Sequence, residues 1–330
     1  MLEAVITTVD LKKSFRSRRG PVEAVRGVSI SVQPGEIFGF LGPNGAGKTT
    51  TLRMLTTLLP IDSGTASVSG YDAAKQPQQV REHTGFVSQL GGADPLGTGI
   101  ENLLLQGRLY GHSKADVLAR SEELMDVLDL REFAQRKVIT YSGGQRRRLD
   151  IALGIVHGPE VLFLDEPTTG LDPQNRANLW EHIRRLQERG TTIFLTTHYL
   201  EEADALCDRL VIMDHGQVVV EGTPRDLKHQ VAGDSVVLTL RENPPQSVAT
   251  LLSDEPYVRE TSVEGETTLR LYVEDGATAL PLLLRKLDAS HIALASMSLS
   301  EPTLDDVFLH QTGRSLRDTG DTGTDSRRAA

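Results

Sequence analysis

Cysteine, long apolar runs and excess positive charge are all scarce in this chain of 330 residues. Its one cysteine, Cys207, excludes an internal disulfide and suits a reducing compartment. No apolar run approaches the roughly 20 residues of a membrane span, and the first residues lack the pattern of a signal peptide. With 35 basic against 45 acidic side chains the net charge is -10, which argues against a nucleic-acid partner. We therefore expect a cytoplasmic globular protein.

A glycine-rich stretch between two predicted elements carries the first functional signal. Residues 37–41 are a short apolar run that predicts a buried strand. Leu52, Leu55 and Leu59 recur at helical spacing before Pro60 ends the helix. The stretch between them satisfies the phosphate-loop pattern G-x-x-x-x-G-K-[ST] at every fixed position; it comprises Gly42, Pro43, Asn44, Gly45, Ala46, Gly47, Lys48 and Thr49.

The chemistry that this loop predicts is the binding of a nucleotide triphosphate. Because Pro43 has no N–H, the backbone donors come from about Gly45 to Thr50, and the helix start adds further unpaired N–H groups. Lys48 supplies a mobile positive charge for the outer phosphates, and Thr49 offers a hydroxyl to Mg²⁺. The alternative, a glycine-rich turn without a ligand, is disfavoured by the complete pattern in its expected context.

Polar side chains follow several predicted strands. Residues 161–164 are a continuous apolar run of the parallel-sheet kind, and they lead into Asp165 and Glu166. Asp165 suits Mg²⁺, and Glu166 suits the orientation and deprotonation of an attacking water. His198 and Gln89 follow two further strands, so we expect all four side chains at the carboxyl edge of one sheet. The alternatives are two solvated loop acids and a structural histidine.

Two adjacent glycines open another predicted helix. Ser142 and Gln145 satisfy the capping-box pattern, which on its own predicts a helix start. Gly143 and Gly144 between them cost helix stability, which makes sense if backbone N–H groups must stay uncovered for an anion. Taken alone, the three arginines at 146–148 predict a solvated helix face.

Phe15 is the one aromatic residue near the N-terminus with a possible ligand role. It lies just before a polar turn. Its ring suits stacking on an adenine, since an aromatic face accepts any base, and it equally suits packing in the core. The sequence leaves both interpretations open.

A change in the order of elements marks a boundary after Arg225. Beyond it the patterns predict strand, helix, strand, strand, helix and strand, which is the split-βαβ or ferredoxin-like order. The composition of residues 313–330 predicts disorder. We therefore predict an ATP-binding domain at 1–225, an α+β accessory domain at 226–312 and a disordered tail.

Together these stretches resemble the ATP-binding subunit of ABC transporters, over roughly residues 1–225. The matched elements are the phosphate loop, the Q-loop glutamine, the signature, the Walker-B acids, the D-loop aspartate and the switch histidine: residues 42–49, Gln89, 142–145, Asp165, Glu166, Asp172 and His198. Tyr141 departs from the leucine that commonly opens the signature, and Gly170 stands in a D-loop that often carries alanine. Neither departure removes a catalytic group.

The segment at residues 299–313 resembles the C-terminal extension of the daunorubicin-resistance type of drug-export ATPase, and residues 141–150 are similar to the same subgroup. The implied fold is an α/β P-loop NTPase. It would comprise an ABC-type nucleotide-binding domain with a β-subdomain and a helical subdomain, followed by a small ferredoxin-like domain.

The resemblance also implies a Mg²⁺-dependent ATPase that works as a head-to-tail homodimer on an integral-membrane permease, at the cytoplasmic face of the membrane. Each ATP would lie between the phosphate loop of one copy and the signature of the other, with Phe15 on the adenine and Asp172 nearby. The implied catalytic residues are Lys48, Gln89, Glu166 and His198. The implied metal ligands are Thr49, Gln89 and Asp165.

The leading interpretation is an exporter subunit that couples ATP hydrolysis to efflux of a drug, antibiotic or other hydrophobic compound. A subunit of an importer, or of a lipid or polysaccharide exporter, is an alternative within transport. A soluble ABC protein acting on ribosomes or DNA is another, although the chain shows one nucleotide domain and no heptad array. The intact Glu166 and His198 argue against a non-catalytic regulatory module.

Overall fold

The computed structural model describes residues 3–17, 20–230, 234–241, 244–300 and 302–313. Two compact units divide between Thr223 and Pro224. Almost all of the predicted disordered tail lies outside the described residues, and the predicted domain limits stay a prediction. In the part of the chain that is described, no helix has both the length and the apolar character needed to span a bilayer.

The first unit contains two sheets and the helices around them. Its strands are β1 Ile6–Ser17, β2 Gly20–Val32, β3 Ile37–Leu41, β4 Ser63–Val68, β5 Tyr71–Asp72, β6 Thr84–Val87, β7 Val161–Asp165, β8 Thr192–Thr197, β9 Arg209–Asp214 and β10 Gln217–Gly222. Its helices are α1 Lys48–Leu55, α2 Pro77–His83, α3 Gly99–Leu109, α4 Lys114–Val127, α5 Gly143–Ile155, α6 Pro173–Glu188 and α7 Leu200–Leu206, with a short 3₁₀ helix at Val138–Thr140.

The central sheet has the strand order β10-β9-β3-β8-β7-β6. Its pairs are parallel except for the antiparallel hairpin of β9 and β10. Strands β3, β7 and β8 are buried along their whole length, as their continuous apolar sequences predict. The second sheet, with the order β2-β1-β4-β5, is antiparallel.

Phenylalanines from neighbouring strands pack together inside the central sheet's core. Phe40, Phe163 and Phe194 are fully buried. The ring centroids of Phe40 and Phe194 lie 4.8 Å apart, and those of Phe163 and Phe194 lie 5.4 Å apart. Burying each such side chain stabilises the fold by about 1.5–3 kcal/mol. This packing fixes β3, β8 and β7 side by side, so their carboxyl ends meet at one edge.

The second unit begins with α8 Pro224–Gln230 and continues with β11 Asp234–Leu240, α9 Pro245–Ser253, β12 Val258–Glu264, β13 Thr268–Val273, α10 Gly276–Ala289, β14 Leu294–Ser300 and α11 Leu304–Thr312. Its sheet has the order β12-β13-β11-β14 with every pair antiparallel. This is the predicted β-α-β-β-α-β arrangement. Leu238, Leu271 and Leu283 are buried in its core, and the hydroxyl of Tyr272 donates to Asp306 Oδ1 at 2.9 Å.

Candidate active site

A cleft of about 480 Å³ opens where β3 passes into α1. Phosphate-loop residues 44–50 line it together with Phe15 and Glu166. The sequence singled out all of these. The other lining residues, which it did not single out, are Val22, Glu23, Ala24, Arg26 and His215.

The phosphate loop turns sharply into α1. Gly47 has a φ of 101°, in the left-handed region that favours glycine. A Cβ at this position would come within 2.4 Å of the carbonyl oxygen of Ala24. The glycine therefore lets the start of α1, with its unpaired N–H groups, form part of the cleft wall.

Lys48 is buried at the base of this loop, with 4% of its surface exposed. Its Nζ donates to the carbonyl oxygens of Gly42 and Pro43 at 2.6 and 3.1 Å and lies 3.9 Å from Glu166 Oε1. Burial lowers the pKa of Lys48, and the carboxylates of Glu166 and Asp165 oppose that shift. The Lys48 ammonium is thus held between burial and the two carboxylates of Glu166 and Asp165.

Thr49 and Asp165 meet across the loop and the end of β7. Thr49 Oγ1 donates to Asp165 Oδ1 at 2.9 Å, and Thr196 Oγ1 donates to the same oxygen at 2.7 Å. Thr49 and Asp165 offer the hard oxygen donors that Mg²⁺ prefers, so these residues fit the ion. No cluster of three His, Cys, Asp or Glu side chains in the described residues could hold a metal by itself; Mg²⁺ usually needs only one or two carboxylates beside substrate phosphates.

Glu166 is the meeting point of the candidate catalytic groups. Its Oε2 accepts from Gln89 Nε2 at 3.1 Å and from Thr169 Oγ1 at 3.2 Å, and His198 Nδ1 lies 3.2 Å from its Oε1. Burial alone would raise the pKa of Glu166, but His198, Lys48 and Thr169 outweigh it and the net shift is downward. The carboxylate is therefore held in its charged form, the form that a base requires.

The acids at the end of β7 are not solvated loop residues. Asp165 is 4% exposed, and the side chain of Glu166 is 11% exposed. Phe15 is also not a core residue, because it is 39% exposed at the cleft. Lys13 Nζ lies 5.7 Å from the centre of the Phe15 ring.

The signature lies apart from the cleft within one chain, because none of residues 142–145 lines it. The capping box is confirmed, since Ser142 Oγ accepts from Gln145 N and the Gln145 side chain accepts from Ser142 N. Gly144 also has a packing role, because a Cβ there would meet Asn175 Oδ1 at 2.5 Å, whereas a Cβ at Gly143 would make only an ordinary contact with Leu171 at 3.7 Å.

Asp172 begins helix α6 in the D-loop. Its Oδ1 accepts from the backbone N–H of Asn175 at 2.9 Å, which makes it the N-cap of the helix. Like the signature residues, Asp172 does not line the cleft of its own chain. Its part in nucleotide binding stays a prediction.

The prediction of a solvated arginine face is wrong for two of the three arginines. Arg147 is 7% exposed, and its guanidinium donates to backbone carbonyls at the ends of β6 and β7. Arg148 is partly buried and donates to the carbonyls of Leu128 and Asp129. Only Arg146 is exposed.

Two family models match the chain. The ABC transporter model covers residues 25–169, and the C-terminal domain of DrrA1-3-like ATP-binding proteins covers residues 222–312. The daunorubicin/doxorubicin resistance ATP-binding protein DrrA of Streptomyces peucetius is 44% identical over 316 residues, which span 95% of this chain and 94% of that protein. The chain belongs to the ABC transporter family, in its daunorubicin-resistance branch.

Two further relatives and a solved structure agree with this family assignment. The linearmycin resistance ATP-binding protein LnrL of Bacillus subtilis is 36% identical, over 94% of this chain and 98% of that protein. The Nod factor export ATP-binding protein I of Paraburkholderia xenovorans is 41% identical, over 96% and 100%. A solved ATP-binding cassette in its ADP conformation has a TM-score of 0.60 at 27% identity, over 68% of this chain and 92% of that one.

These comparisons confirm the predicted ABC-type P-loop fold and the predicted enzyme class. The protein is a nucleotide-binding ATPase and the ATP-binding subunit of an ABC exporter. The sequence missed Arg147 and Thr196 in the site of this ABC ATPase. Thr196 could have been identified, because it lies two residues before His198 and alternate residues of a strand share a face. Nothing in the sequence of the three arginines indicated which of them is buried.

Proposed function

We propose that this ABC ATPase drives the export of a drug, antibiotic or other hydrophobic compound through a separate integral-membrane permease, at the cytoplasmic face of the membrane. Relatives named for resistance to daunorubicin, doxorubicin and linearmycin support this cargo class. The relative named for Nod factor export makes a different exported compound the second candidate. All of these names favour export over import and over a non-transport ATPase.

The observation that carries the catalytic assignment is the set of contacts around Glu166. A charged carboxylate lies beside Lys48, His198 and Gln89 at the wall of a cleft built for phosphates. In this proposal Glu166 orients and deprotonates the attacking water, and Lys48 binds the outer phosphates. His198 and Gln89 hold the Glu166 carboxylate and respond to the γ-phosphate.

We assign Mg²⁺ to Thr49 and Asp165, with Gln89 as a further candidate ligand. When bound, the ion neutralises charge on the β- and γ-phosphates. Phe15 is assigned to the adenine, since its exposed ring stands at the cleft beside Val22. The loop from Gly42 to Thr50 holds the phosphates.

A head-to-tail homodimer completes the site in this proposal. Residues 142–145 do not line the cleft of their own chain, although α5 begins there with two glycines. A second copy that presents its signature would place another helix start against the same phosphates. Asp172 of that copy would accompany the signature.

A reconstituted system tests the proposal. Inside-out vesicles that carry the chain with its membrane partner are supplied with ATP and daunorubicin, and uptake is compared between the wild type and Glu166→Gln. The variant should bind ATP normally, hydrolyse it about 10²–10⁴-fold more slowly, and abolish uptake. Near-normal hydrolysis by Glu166→Gln would reject the catalytic assignment. Hydrolysis by the wild type without uptake of daunorubicin, or of linearmycin supplied in its place, would reject these two drugs as cargo while leaving the ATPase assignment intact.

A further inference from the structure

Arg147 lies one turn into helix α5, where its guanidinium is surrounded by backbone carbonyls. Its Nε donates to Pro167 O at 2.7 Å, its Nη1 to Ser88 O at 2.7 Å and its Nη2 to Asp165 O at 3.1 Å. These main-chain dipoles stabilise its charge. Burial lowers the pKa of Arg147, and the carboxylates of Asp150, Glu202 and Asp165 oppose that shift.

The carbonyls that Arg147 contacts belong to the two segments that carry the catalytic side chains. Ser88 immediately precedes Gln89, and Asp165 and Pro167 flank Glu166. Gln89 and Glu166 in turn contact each other at 3.1 Å. One side chain on the signature helix thus fixes both ends of this contact through the backbone.

The backbone of Glu166 needs such support. Its φ is 46°, a left-handed conformation that a non-glycine residue adopts only when its surroundings impose it. On the amide side, the N–H of Glu166 donates to Thr196 O and Thr196 Oγ1, both at 3.1 Å. Arg147 Nη2 also donates to the oxygen of this same peptide group, that of Asp165. On the carbonyl side, Arg147 Nη2 donates to the oxygen of Glu166 at 3.4 Å, and Arg147 Nε donates to the oxygen of Pro167 at 2.7 Å. Together they set the direction of the Glu166 side chain.

Only arginine has the geometry that these contacts require. Its planar guanidinium presents several N–H donors in a fixed fork, whereas lysine offers a single point charge. The neighbouring Arg148 is a natural comparison, because it also donates to two carbonyls, those of Leu128 and Asp129, but contacts neither catalytic segment.

We propose that Arg147 is a positioning residue for hydrolysis, which holds the Glu166 carboxylate and the start of the Q-loop in register with the signature helix. This inference rests on the proposed role of Glu166. A change at the signature helix would then reach Glu166 through Arg147 within the same chain.

Steady-state ATP hydrolysis and ATP binding by the full chain test this inference. Arg147→Gln should lower kcat about 10²-fold, the size expected for a misplaced catalytic group, with ATP affinity changed less than about threefold. Arg147→Lys, which keeps the charge and a similar volume, should show a smaller loss of kcat. Arg148→Gln is the matched control and should keep kcat within about twofold. Thermal unfolding establishes that each variant is folded. If Arg147→Gln does not fold, the kcat of Arg147→Lys tests the inference instead.

A double-mutant cycle separates positioning from a general structural effect. In the Glu166→Gln background, Arg147→Gln should change the residual hydrolysis less than about twofold, because the carboxylate that it positions is gone. An equal loss in both backgrounds, or a folded Arg147 variant with wild-type kcat, overturns the inference while Glu166 keeps its role. Wild-type hydrolysis by Glu166→Gln alone overturns both the inference and the proposed catalytic role.

Discussion

Glu166 combines the reacting carboxylate with an unfavourable backbone conformation. A left-handed non-glycine residue costs about 1–3 kcal/mol. Its φ of 46° persists because hydrogen bonds hold the peptide group before Glu166 at its N–H and the one after it at the Glu166 oxygen. The turn ends β7 at Asp165, and it directs the Glu166 side chain toward His198 and Gln89. The strain thus accompanies the placement of the base.

The pKa of Glu166 predicts a pH dependence of stability. Because this pKa lies below its ordinary value of 4.5, the carboxylate stabilises the folded state above the unfolded pKa, and this gain is lost as pH falls through the folded pKa. The difference in unfolding free energy between wild type and Glu166→Gln should therefore be constant at pH values above the ordinary pKa. In more acidic solution the wild type should lose stability relative to the variant. Urea unfolding followed by the fluorescence of Trp180, the one tryptophan, measures it. A difference that does not vary with pH would contradict the lowered pKa.

At the scale of residues, the sequence predicted the groups that obey a fixed local pattern. The phosphate loop and the capping box at Ser142 depend on spacing along one segment, so their local geometry follows from sequence. Arg147 and Thr196 matter because of carbonyls and carboxylates that are distant in sequence. Such contacts exist only after the strands have packed, so no local pattern could identify them.

At the scale of elements, exposed leucines in the segment after Gln89 and along helix α3 provide apolar surface. Leu90 is 90% exposed, and Leu96, Leu105 and Leu109 are 68%, 58% and 73% exposed. This surface adjoins Gln89, which contacts Glu166. Because Leu90 adjoins Gln89 of the candidate site while Leu105 and Leu109 lie on α3, we expect this surface to bind a cytoplasmic, apolar segment of the permease.

If this surface binds the permease, changing it should weaken permease binding without slowing ATP hydrolysis. The double variant Leu90→Ser with Leu109→Ser should lose co-purification with the permease because it removes apolar area from the contact. Hydrolysis by the isolated chain should stay within about twofold, as expected for surface changes. Leu58→Ser, at a leucine that is 53% exposed beyond α1, is the control and should assemble normally. Normal assembly of the double variant would exclude this surface as the docking site.

The elements themselves were largely predictable, since buried parallel strands have continuous apolar sequences and the helices carry clear start signals. The strand order β10-β9-β3-β8-β7-β6 was not predicted, because pairing depends on packing between distant segments. The second unit shows the same division: its order of elements followed from sequence, while the burial of Tyr272 against Asp306 of α11 did not.

At the scale of the whole molecule, the signature of a chain does not line the nucleotide cleft of the same chain. The cleft contains Lys48 and Glu166 but none of residues 142–145. A mixed dimer tests whether a second chain supplies them. One chain carries Lys48→Ala and the other Ser142→Arg, both in a Glu166→Gln background that prevents hydrolysis from dissolving the complex. The Ser142 change also removes a helix cap worth about 0.5–2 kcal/mol, so folding of both chains is verified first.

Each variant alone spoils both sites of its own homodimer, because every site takes its phosphate loop from one chain and its signature from the other. In the mixed dimer, one site contains both the Lys48→Ala and the Ser142→Arg substitution. The other site pairs an unmutated loop with an unmutated signature. Mixing should therefore restore ATP-driven dimerisation with one nucleotide trapped per dimer, measured by size-exclusion with labelled ATP. If both motifs acted on ATP within one chain, mixing would bring no gain, and the absence of a trapped heterodimer from two folded chains would exclude the shared site.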